Sequence, residues 1–267
     1  MSESPLLLTR EGPIARLVLN RPDVGNAVDV PLTRALLEAA IACDEDEAIR
    51  CVVLTGMGRL FCAGGDIGGF SNSGDRLPAL LKELTANINS AVSILTRMAK
   101  PLLCVSNGPG ACAGLSLALL GDYVLAARSA HFSLGYGAIG LSPDAGATWL
   151  LPRLIGLRRA QEMAATNRRV GAEEAAAIGL VTRTVDDAAL AVEADAMAAT
   201  LAATAGRAIG RTRQLLLASF ETSLDTQLQL EARAIADGAR DPDGREGVAA
   251  FLERRKPDFT GRTQGAE

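Results

Sequence analysis

Two glycine-rich turns, each placed directly after an apolar strand, constrain this sequence more than any other feature. The first turn follows the apolar residues 51–54 and reads GMGRLFCAGGDI at residues 56–67. Glycine removes the Cβ that would keep a ligand away from the main chain, and it allows positive φ angles at which successive N–H groups converge. The turn is therefore predicted to form a backbone cradle for an oxyanion or a phosphate. A tight strand-to-helix turn without a ligand also fits this stretch when it is taken alone.

The second turn repeats the design and continues into a helix. An apolar strand at residues 102–105 is followed by NGPGACAG at residues 107–114 and then by LSLALL at residues 115–120. The first N–H groups of a helix have no partner inside it, and they lie at the positive end of the helix dipole. Two such turns can each offer one N–H group to the same oxygen atom.

The length and net charge of the chain limit which class of protein it can belong to. The chain has 267 residues, of which 48% are hydrophobic and 22% are charged, and its formal net charge is −4. A chain of this length buries roughly 70% of its unfolded surface and folds without disulfides or metals. Because no basic excess is present to neutralise a phosphate backbone, nucleic acid is not a predicted partner.

The cysteines and the single histidine exclude several kinds of site. The five cysteines are odd in number and lack a CxxC pair, which predicts reduced thiols in a cytoplasmic protein. No stretch approaches eighteen uninterrupted apolar residues, and residues 1–10 have no basic region ahead of a long apolar core, so no membrane span or secretion signal is predicted. His131 is the only histidine, so a histidine-rich metal site is excluded by count and no metal is predicted.

The order of the predicted elements indicates a repeated unit of two strands and a helix. The first unit has a hairpin at residues 6–9 and 14–19 and a helix at residues 30–43 that Asp29 caps. The same order recurs around each later strand, which predicts an α/β fold in which ββα units stack into a coil. Polar residues 70–78 are predicted as a mobile loop. Later helices are predicted after Pro143 and at 79–98, 157–166, 172–178, 188–203, 207–219, 223–237 and 245–253.

Three spaced motifs resemble the enoyl-CoA hydratase/isomerase (crotonase) superfamily. They are FCAGGDI at residues 61–67, NGPGACAG at residues 107–114 and IGLSPDAG at residues 139–146, and the resemblance extends from about Leu6 to residues 254–259. It implies a crotonase-like spiral of ββα units over residues 1–186, which holds an acyl-CoA site. It also implies a C-terminal helical region, residues 187–267, that assembles homotrimers or hexamers made of two trimers. Coenzyme A enters as part of the thioester substrate, and no other cofactor is implied.

The resemblance also assigns roles to individual residues. It implies that the backbone N–H groups of Ala63 and Ala113 form an oxyanion hole for the thioester oxygen. Two fixed donors of this kind each lower the barrier to enolate formation by roughly 3 to 4 kcal/mol at most. The side chain of Asp66 is also predicted to cap the following helix. The implied CoA and acyl contacts are Val24, Ala27, Ala63, Gly64, Gly65, Asp66, Ile67, Gly114 and Tyr136.

The acid/base positions differ from those of the hydratases. Hydratases hold water between two glutamates, and the aligned positions in this chain are Ser116 and Tyr136. Asp144 is the remaining acid, and several enoyl-CoA isomerases use an acid at this place as their only base. The resemblance therefore implies Δ3,Δ2-enoyl-CoA isomerisation by Asp144. Ser142, Pro143 and Asp144 also fit the N-cap, N1 and N2 positions of a helix, so a purely structural role for Asp144 stays open.

Three other functions stay open at this stage. The first is an enoyl-CoA hydratase in which Asp144 and a rearranged water replace the glutamates. The second is an aryl-CoA dehalogenase with Asp144 as nucleophile, although residues 79–98 lack the histidine base of those enzymes. The third is an acyl-CoA-binding trimer without catalytic activity, which would not exchange the substrate's α-proton with solvent.

Overall fold

Two β-sheets organise the described part of the chain, which is residues 4–260 of the computed structural model. The larger sheet has the strand order β1-β2-β3-β4-β6-β9, and the smaller one has the order β5-β7-β8. In the larger sheet β1 and β2 pair antiparallel, and all later neighbours pair parallel. The strands are β1 (Leu6–Glu11), β2 (Ile14–Leu19), β3 (Cys51–Gly56), β4 (Leu102–Ser106), β5 (Gly110–Ala111), β6 (Tyr123–Ala127), β7 (His131–Ser133), β8 (Val170–Gly171) and β9 (Arg183–Val185).

Helices connect the parallel strands and form the C-terminal region. The α/β architecture predicted from the sequence is present, with strand and helix units followed by C-terminal helices. The helices are α1 (Val30–Glu45), α2 (Ile67–Asn72), α3 (Leu77–Arg97), α4 (Ala113–Ala118), α5 (Ala147–Ile155), α6 (Leu157–Thr166), α7 (Ala172–Ala177), α8 (Leu190–Ala202), α9 (Gly206–Ala218), α10 (Leu224–Arg240) and α11 (Pro242–Leu252).

The parallel pairing of β3 and β4 brings the two glycine turns to one edge of the sheet. The residues of β4 are buried throughout, as are the first four of β3, which accounts for their continuous apolar sequences. Val52 of β3 is level with Leu102 of β4, so both strands end at the same height. Because parallel strands share their carboxyl edge, the turns that follow them lie side by side.

Two expectations about the connecting segments are wrong. Residues 70–78 were expected to form a loop, but α2, a 3-10 turn at Gly74–Arg76 and the start of α3 cover them. The helix expected directly after Pro143 begins only at Ala147. Ala145 and Gly146 have φ values of 50° and 81°, in the left-handed region, so Asp144 lies outside the helix and is not its N2 residue.

The C-terminal helices bury few of their own side chains. Arg213 of α9 is buried and pairs with Asp122 at 2.9 Å, which joins this helix to the core. In contrast, α10 has no buried residue. The division into residues 1–186 and 187–267 remains a prediction, and its outer ends, residues 1–3 and 261–267, lie outside the described residues.

No single helix in the described chain has both the length and the apolar character needed to cross a membrane. One pair of consecutive helical segments, Asp187–Ala202 and Gly206–Ala218, meets those two criteria jointly, but the segments are bent by 95° relative to each other.

Candidate active site

The two glycine turns are joined to each other by backbone hydrogen bonds. Cys62 and Gly110 form a parallel bridge, and Ala111 N–H donates to the Cys62 carbonyl at 2.9 Å. A Cβ on Gly64 would lie 2.6 Å from Cys112 Cβ, and one on Gly114 would lie 2.2 Å from the Cys62 oxygen. Glycine is therefore required at residues 64 and 114 by the close approach of one turn to the other.

The N–H groups of the turns differ from the predicted assignment. Ala113 is the first residue of α4, and its N–H has no acceptor among residues 4–260. The N–H of Ala63 is already used, because it donates to the Gly25 carbonyl at 2.9 Å, so its assignment as an oxyanion donor is wrong. Gly65 N–H, two residues later, donates to no acceptor within the described chain. Gly65 and Ala113 therefore each supply an unpaired donor, one from each turn.

Both unpaired donors border one cavity of about 540 Å³. Asp144 and Tyr136 line the same cavity, together with Ala63. Apolar side chains from α2, α3 and the segment before α5 complete much of the wall, namely Phe70, Leu81, Leu84, Ile139, Leu141 and Pro143. A fatty acyl chain is therefore compatible with the cavity, and the polar groups are concentrated near the turns.

The three residues considered for acid/base chemistry lie together. Tyr136 Oη donates a 2.5 Å hydrogen bond to Oδ1 of Asp144. Ser116 is fully buried in α4, and its Oγ donates to the backbone oxygen of Asp144 at 3.1 Å. The positions that align with the two hydratase glutamates thus both contact Asp144.

Burial alters the protonation of this cluster. It raises the pKa of Asp144 above the ordinary value of 3.8, and the hydrogen bond from Tyr136 partly opposes that rise. The pKa of Tyr136 is also raised, first by burial and then by the neighbouring Asp144 charge. Tyr136 is therefore neutral at physiological pH and acts as a hydrogen-bond donor.

The two cysteines beside the cluster are neutral as well. Burial raises the pKa of Cys112 to about 11 and that of Cys62 to about 12. Neither thiol supplies a thiolate nucleophile near neutral pH.

The segment expected to contact CoA on the other side lies against the first turn. Val24 is 50% exposed, whereas Ala27 is buried. Asp66 caps α2 by accepting from Gly69 N–H at 3.0 Å, as predicted, and it also pairs with Arg21 at 3.0 Å. Of the other predicted contacts, Ile67 is exposed and Gly64 and Gly114 are buried.

Asn26 is a structural residue of the site that the sequence reasoning missed. It is fully buried with φ 57°, and its Nδ2 lies 2.8 Å from the Leu60 oxygen and 2.9 Å from the Met57 oxygen. This side chain ties the segment before α1 to the first glycine turn. The Gly25-Asn26 pair was the available signal, because both residue types tolerate left-handed backbone.

Side chains suited to metal binding are scattered in the described part of the chain. Within residues 4–260, no set of three or more His, Cys, Asp or Glu side chains is arranged to hold a metal ion. His131, on β7, is half-buried, and burial together with Arg169 lowers its pKa.

Comparisons with known proteins agree with this architecture. The family model described as "Enoyl-CoA hydratase/isomerase" matches residues 9–262. The chain is 39% identical over 250 residues to the "1,2-epoxyphenylacetyl-CoA isomerase" of Escherichia coli, which covers 93% of this chain and 95% of that protein. It is 41% identical over 249 residues to the "Probable enoyl-CoA hydratase" of Rhodobacter capsulatus, with the same coverage of 93% and 95%.

A solved structure shows the same fold. The enoyl-CoA hydratase from Polaromonas sp. JS666 superposes with a TM-score of 0.89 at 32% identity, and the match covers 95% of this chain and 98% of that one. The fold, the paired glycine turns and these relatives identify the chain as an enzyme of the enoyl-CoA hydratase/isomerase (crotonase) family.

Proposed function

We propose that this protein isomerises 3-enoyl-CoA thioesters to 2-enoyl-CoA thioesters, with Asp144 as the only acid/base group. One observation carries the proposal: among the described residues that line the cavity, Asp144 is the only carboxylic acid. It shares that cavity with the unpaired N–H groups of Gly65 and Ala113. A single carboxylate suffices for isomerisation, whereas the two-glutamate hydration of the family needs a second one.

The proposed reaction moves one proton and changes no oxidation state. The thioester oxygen binds between the N–H groups of Gly65 and Ala113, which stabilise negative charge on that oxygen. Asp144 removes a proton from C2, and the electron pair spreads over the dienolate. The same carboxyl group then returns the proton to C4, which leaves the double bond between C2 and C3. No metal or redox cofactor is needed for this sequence.

The raised pKa of Asp144 suits this step. A carboxylate that is too acidic is a weak base toward a C–H bond, and burial makes Asp144 more basic than an exposed aspartate. We propose that the CoA portion of the substrate binds between two segments of main chain, residues 24–27 and residues 63–67. Arg21 joins these segments, because it donates to the Ala27 carbonyl and pairs with Asp66.

A second candidate reaction is isomerisation of an epoxidised arylacetyl-CoA. The specific support is the identity of 39% over 93% of the chain to the Escherichia coli protein with the name 1,2-epoxyphenylacetyl-CoA isomerase. Hydration of 2-enoyl-CoA remains the alternative within the family, with Asp144 as the only group available to activate water. Dehalogenation is less well supported, because within the described chain the cavity wall includes no histidine to serve as base.

The deciding experiment is a turnover panel with product identification. The panel contains 3-enoyl-CoA, 2-enoyl-CoA, epoxyphenylacetyl-CoA and an aryl-CoA halide. We expect 3-enoyl-CoA to be converted, and Asp144→Asn to reduce that turnover by roughly 10² or more with little change in binding. Asp225→Asn is the matched control, because Asp225 is an exposed charge in the first turn of α10. Efficient hydration of 2-enoyl-CoA without any isomerisation would overturn the proposal.

The possibility of a binding protein without catalysis has its own test. Incubation with a saturated acyl-CoA in heavy water is expected to exchange the α-proton for deuterium, because Asp144 and the two N–H donors support enolate formation. Binding without any such exchange would favour the non-catalytic alternative.

We propose that the enzyme works as a homotrimer or as a hexamer of two trimers. The support is the set of exposed apolar side chains on the last three helices and in the turn between α9 and α10, which water would solvate poorly in a monomer. Light scattering is expected to give three or six times 27.7 kDa, and a stable monomer of 27.7 kDa would contradict it. The side chains, each more than half exposed, are Leu216, Phe220, Leu224, Leu228, Ile235, Val248, Phe251 and Leu252.

We also propose a cytoplasmic location. All five cysteines are free thiols, and four of them are buried, which is compatible with a reducing compartment.

A further inference from the structure

Tyr136 donates a hydrogen bond to one of the two carboxyl oxygens of Asp144. Its hydroxyl donates to Oδ1 at 2.5 Å, while no other residue within 4–260 donates to Oδ2; the only further donor to this carboxyl group is the backbone N–H of Asp144 itself. The two oxygens of this carboxyl group are therefore inequivalent before any substrate is bound. Both residues line the cavity that the unpaired N–H donors border, so the difference lies where the chemistry is proposed to occur.

We propose that Tyr136 is a positioning residue, which keeps Oδ1 engaged so that Asp144 exchanges the substrate proton through Oδ2 alone. This inference rests on the isomerisation proposed above. The tyrosine hydroxyl donates to Oδ1 when the carboxylate is ionised. It also does so when Oδ2 carries the proton, because Oδ1 is then the carbonyl oxygen. The same hydrogen bond therefore persists through the catalytic cycle, and the carboxyl group has no need to rotate between proton removal and proton return.

Tyr136 is itself held firmly. The side chain is 7% exposed, and its residue opens a 3-10 turn, Tyr136–Ile139, directly after Gly135 with φ 66°. The Tyr136 carbonyl accepts from Leu141 N–H at 3.1 Å. Ser116 contacts both partners: its Oγ bonds to the Asp144 backbone oxygen and interacts with the Tyr136 hydroxyl. The backbone of Tyr136 and the side chain of Ser116 thus both fix the position of the hydroxyl relative to the carboxyl group.

The charged and titratable groups around the carboxyl are few. Tyr136, Cys112 and Cys62 face it, and all three are neutral at physiological pH because burial raises the pKa of each. Lys82 is the one cation on the cavity wall within the described chain. The hydrogen bond from Tyr136 is the largest influence that holds the pKa of Asp144 down. Removal of the hydroxyl is therefore expected to raise the pKa of Asp144 further.

The test compares Tyr136→Phe with Tyr123→Phe, since these are the two tyrosines of the chain. Tyr123 lies on β6 with its hydroxyl beside Arg183, so it controls for loss of a phenol elsewhere. For Tyr136→Phe we expect the acidic limb of the kcat profile to move to higher pH by about one unit. The plateau kcat falls roughly tenfold, and KM changes by less than about threefold. A folded variant with an unmoved acidic limb overturns the inference, because a packing role alone would leave the limb in place.

A second variant tests the inference even if Tyr136→Phe does not fold. Incorporation of 3-fluorotyrosine into the Tyr123→Phe background places the modified phenol at Tyr136 alone. Fluorine makes the hydroxyl a stronger donor at almost unchanged size, so the acidic limb is expected to move to lower pH, opposite to the effect of Tyr136→Phe. No movement would overturn the inference. If Asp144→Asn retains turnover, both this inference and the proposed function are wrong. If turnover requires Asp144 but the acidic limb of the kcat profile does not move, only this inference is wrong.

Discussion

The hydroxyl oxygen of Tyr136 lies 2.5 Å from Oδ1 of Asp144, although the two residues belong to different segments. Tyr136 starts a 3-10 turn, and Asp144 lies in the irregular segment that precedes α5. The contact draws a carboxyl group into a largely apolar cavity, where its charge is costly. This cost leads to the first prediction.

Replacement of Asp144 by asparagine is expected to preserve or raise the melting temperature at pH 8. Burial raises the folded-state pKa above 3.8, so the folded protein binds a proton more tightly than the unfolded chain. Stability contributed by this group therefore falls as pH rises from 3.8 through the folded-state pKa. Asparagine removes the cost of the ionised form. Calorimetry at pH 5 and pH 8 checks this, and a larger loss of melting temperature at pH 8 than at pH 5 would contradict it.

Gly65→Ala is expected to lower kcat/KM roughly tenfold, because its Cβ would lie 2.5 Å from Cζ of Phe70 and force that ring to move. The alanine keeps the N–H donor, so Phe70→Leu in the same chain is expected to restore most of the activity. Gly64→Ala is the contrasting variant. Its φ of 100° and the contact with Cys112 destabilise any side chain there by about 1–3 kcal/mol, and Phe70→Leu offers no relief. An unrescued Gly65→Ala would show that the contact with Phe70 is not the cause of the loss.

Cys112 is expected to be the only cysteine alkylated in the folded protein, because it lines the cavity and the other four are buried. With a pKa of about 11, the reaction with iodoacetamide is slow at pH 8 and accelerates nearly tenfold per pH unit up to pH 10. Saturating acyl-CoA is expected to protect the thiol. Mass spectrometry gives the stoichiometry, with Cys112→Ser as the unlabelled control. Equal labelling with and without acyl-CoA would place the substrate elsewhere.

Arg213→Met is expected to destabilise the protein by about 3 kcal/mol, because it removes a buried guanidinium and leaves the carboxylate of Asp122, whose side chain is 17% exposed, without its cationic partner. Asp122→Asn in the same chain is expected to recover part of that loss, and denaturant unfolding of both single variants and the double variant measures the coupling. Arg128→Met removes exposed ion pairs and should change stability little. Strictly additive losses at residues 122 and 213 would show that the pair is not coupled.

Local sequence patterns predicted the elements of this fold well, since their signals lie within each element. The hairpin of β1 and β2, the Asp29 cap of α1 and the Asp66 cap of α2 each depend on neighbours a few residues away. The prediction of a loop at residues 70–78 was wrong, because their polar composition is typical of a loop. In the structure Phe70 packs against the core, and α3 starts at Leu77, earlier than expected.

The details of the site depend on contacts that a linear pattern does not contain. Ala63 and Gly65 offer equivalent N–H groups in sequence, and the distant Gly25 carbonyl decides which one is left unpaired. Asp144 fitted a helix start in its sequence context, but the left-handed backbone of Ala145 and Gly146 delays the helix. Neither contact could be read from residue type or spacing.

The backbone hydrogen bonds that join Cys62 to Pro109 and Ala111 fix the two turns without help from any catalytic side chain. In the proposed mechanism, recognition of the thioester is thereby carried by main chain, which a point mutation elsewhere leaves intact. The proposed proton transfer instead depends on Asp144 and on the side chains of residues 116 and 136, which form hydrogen bonds to it. A lineage that keeps the two main-chain turns can acquire a new reaction through a few codon changes at these side chains. On this proposal it would still bind coenzyme A thioesters throughout.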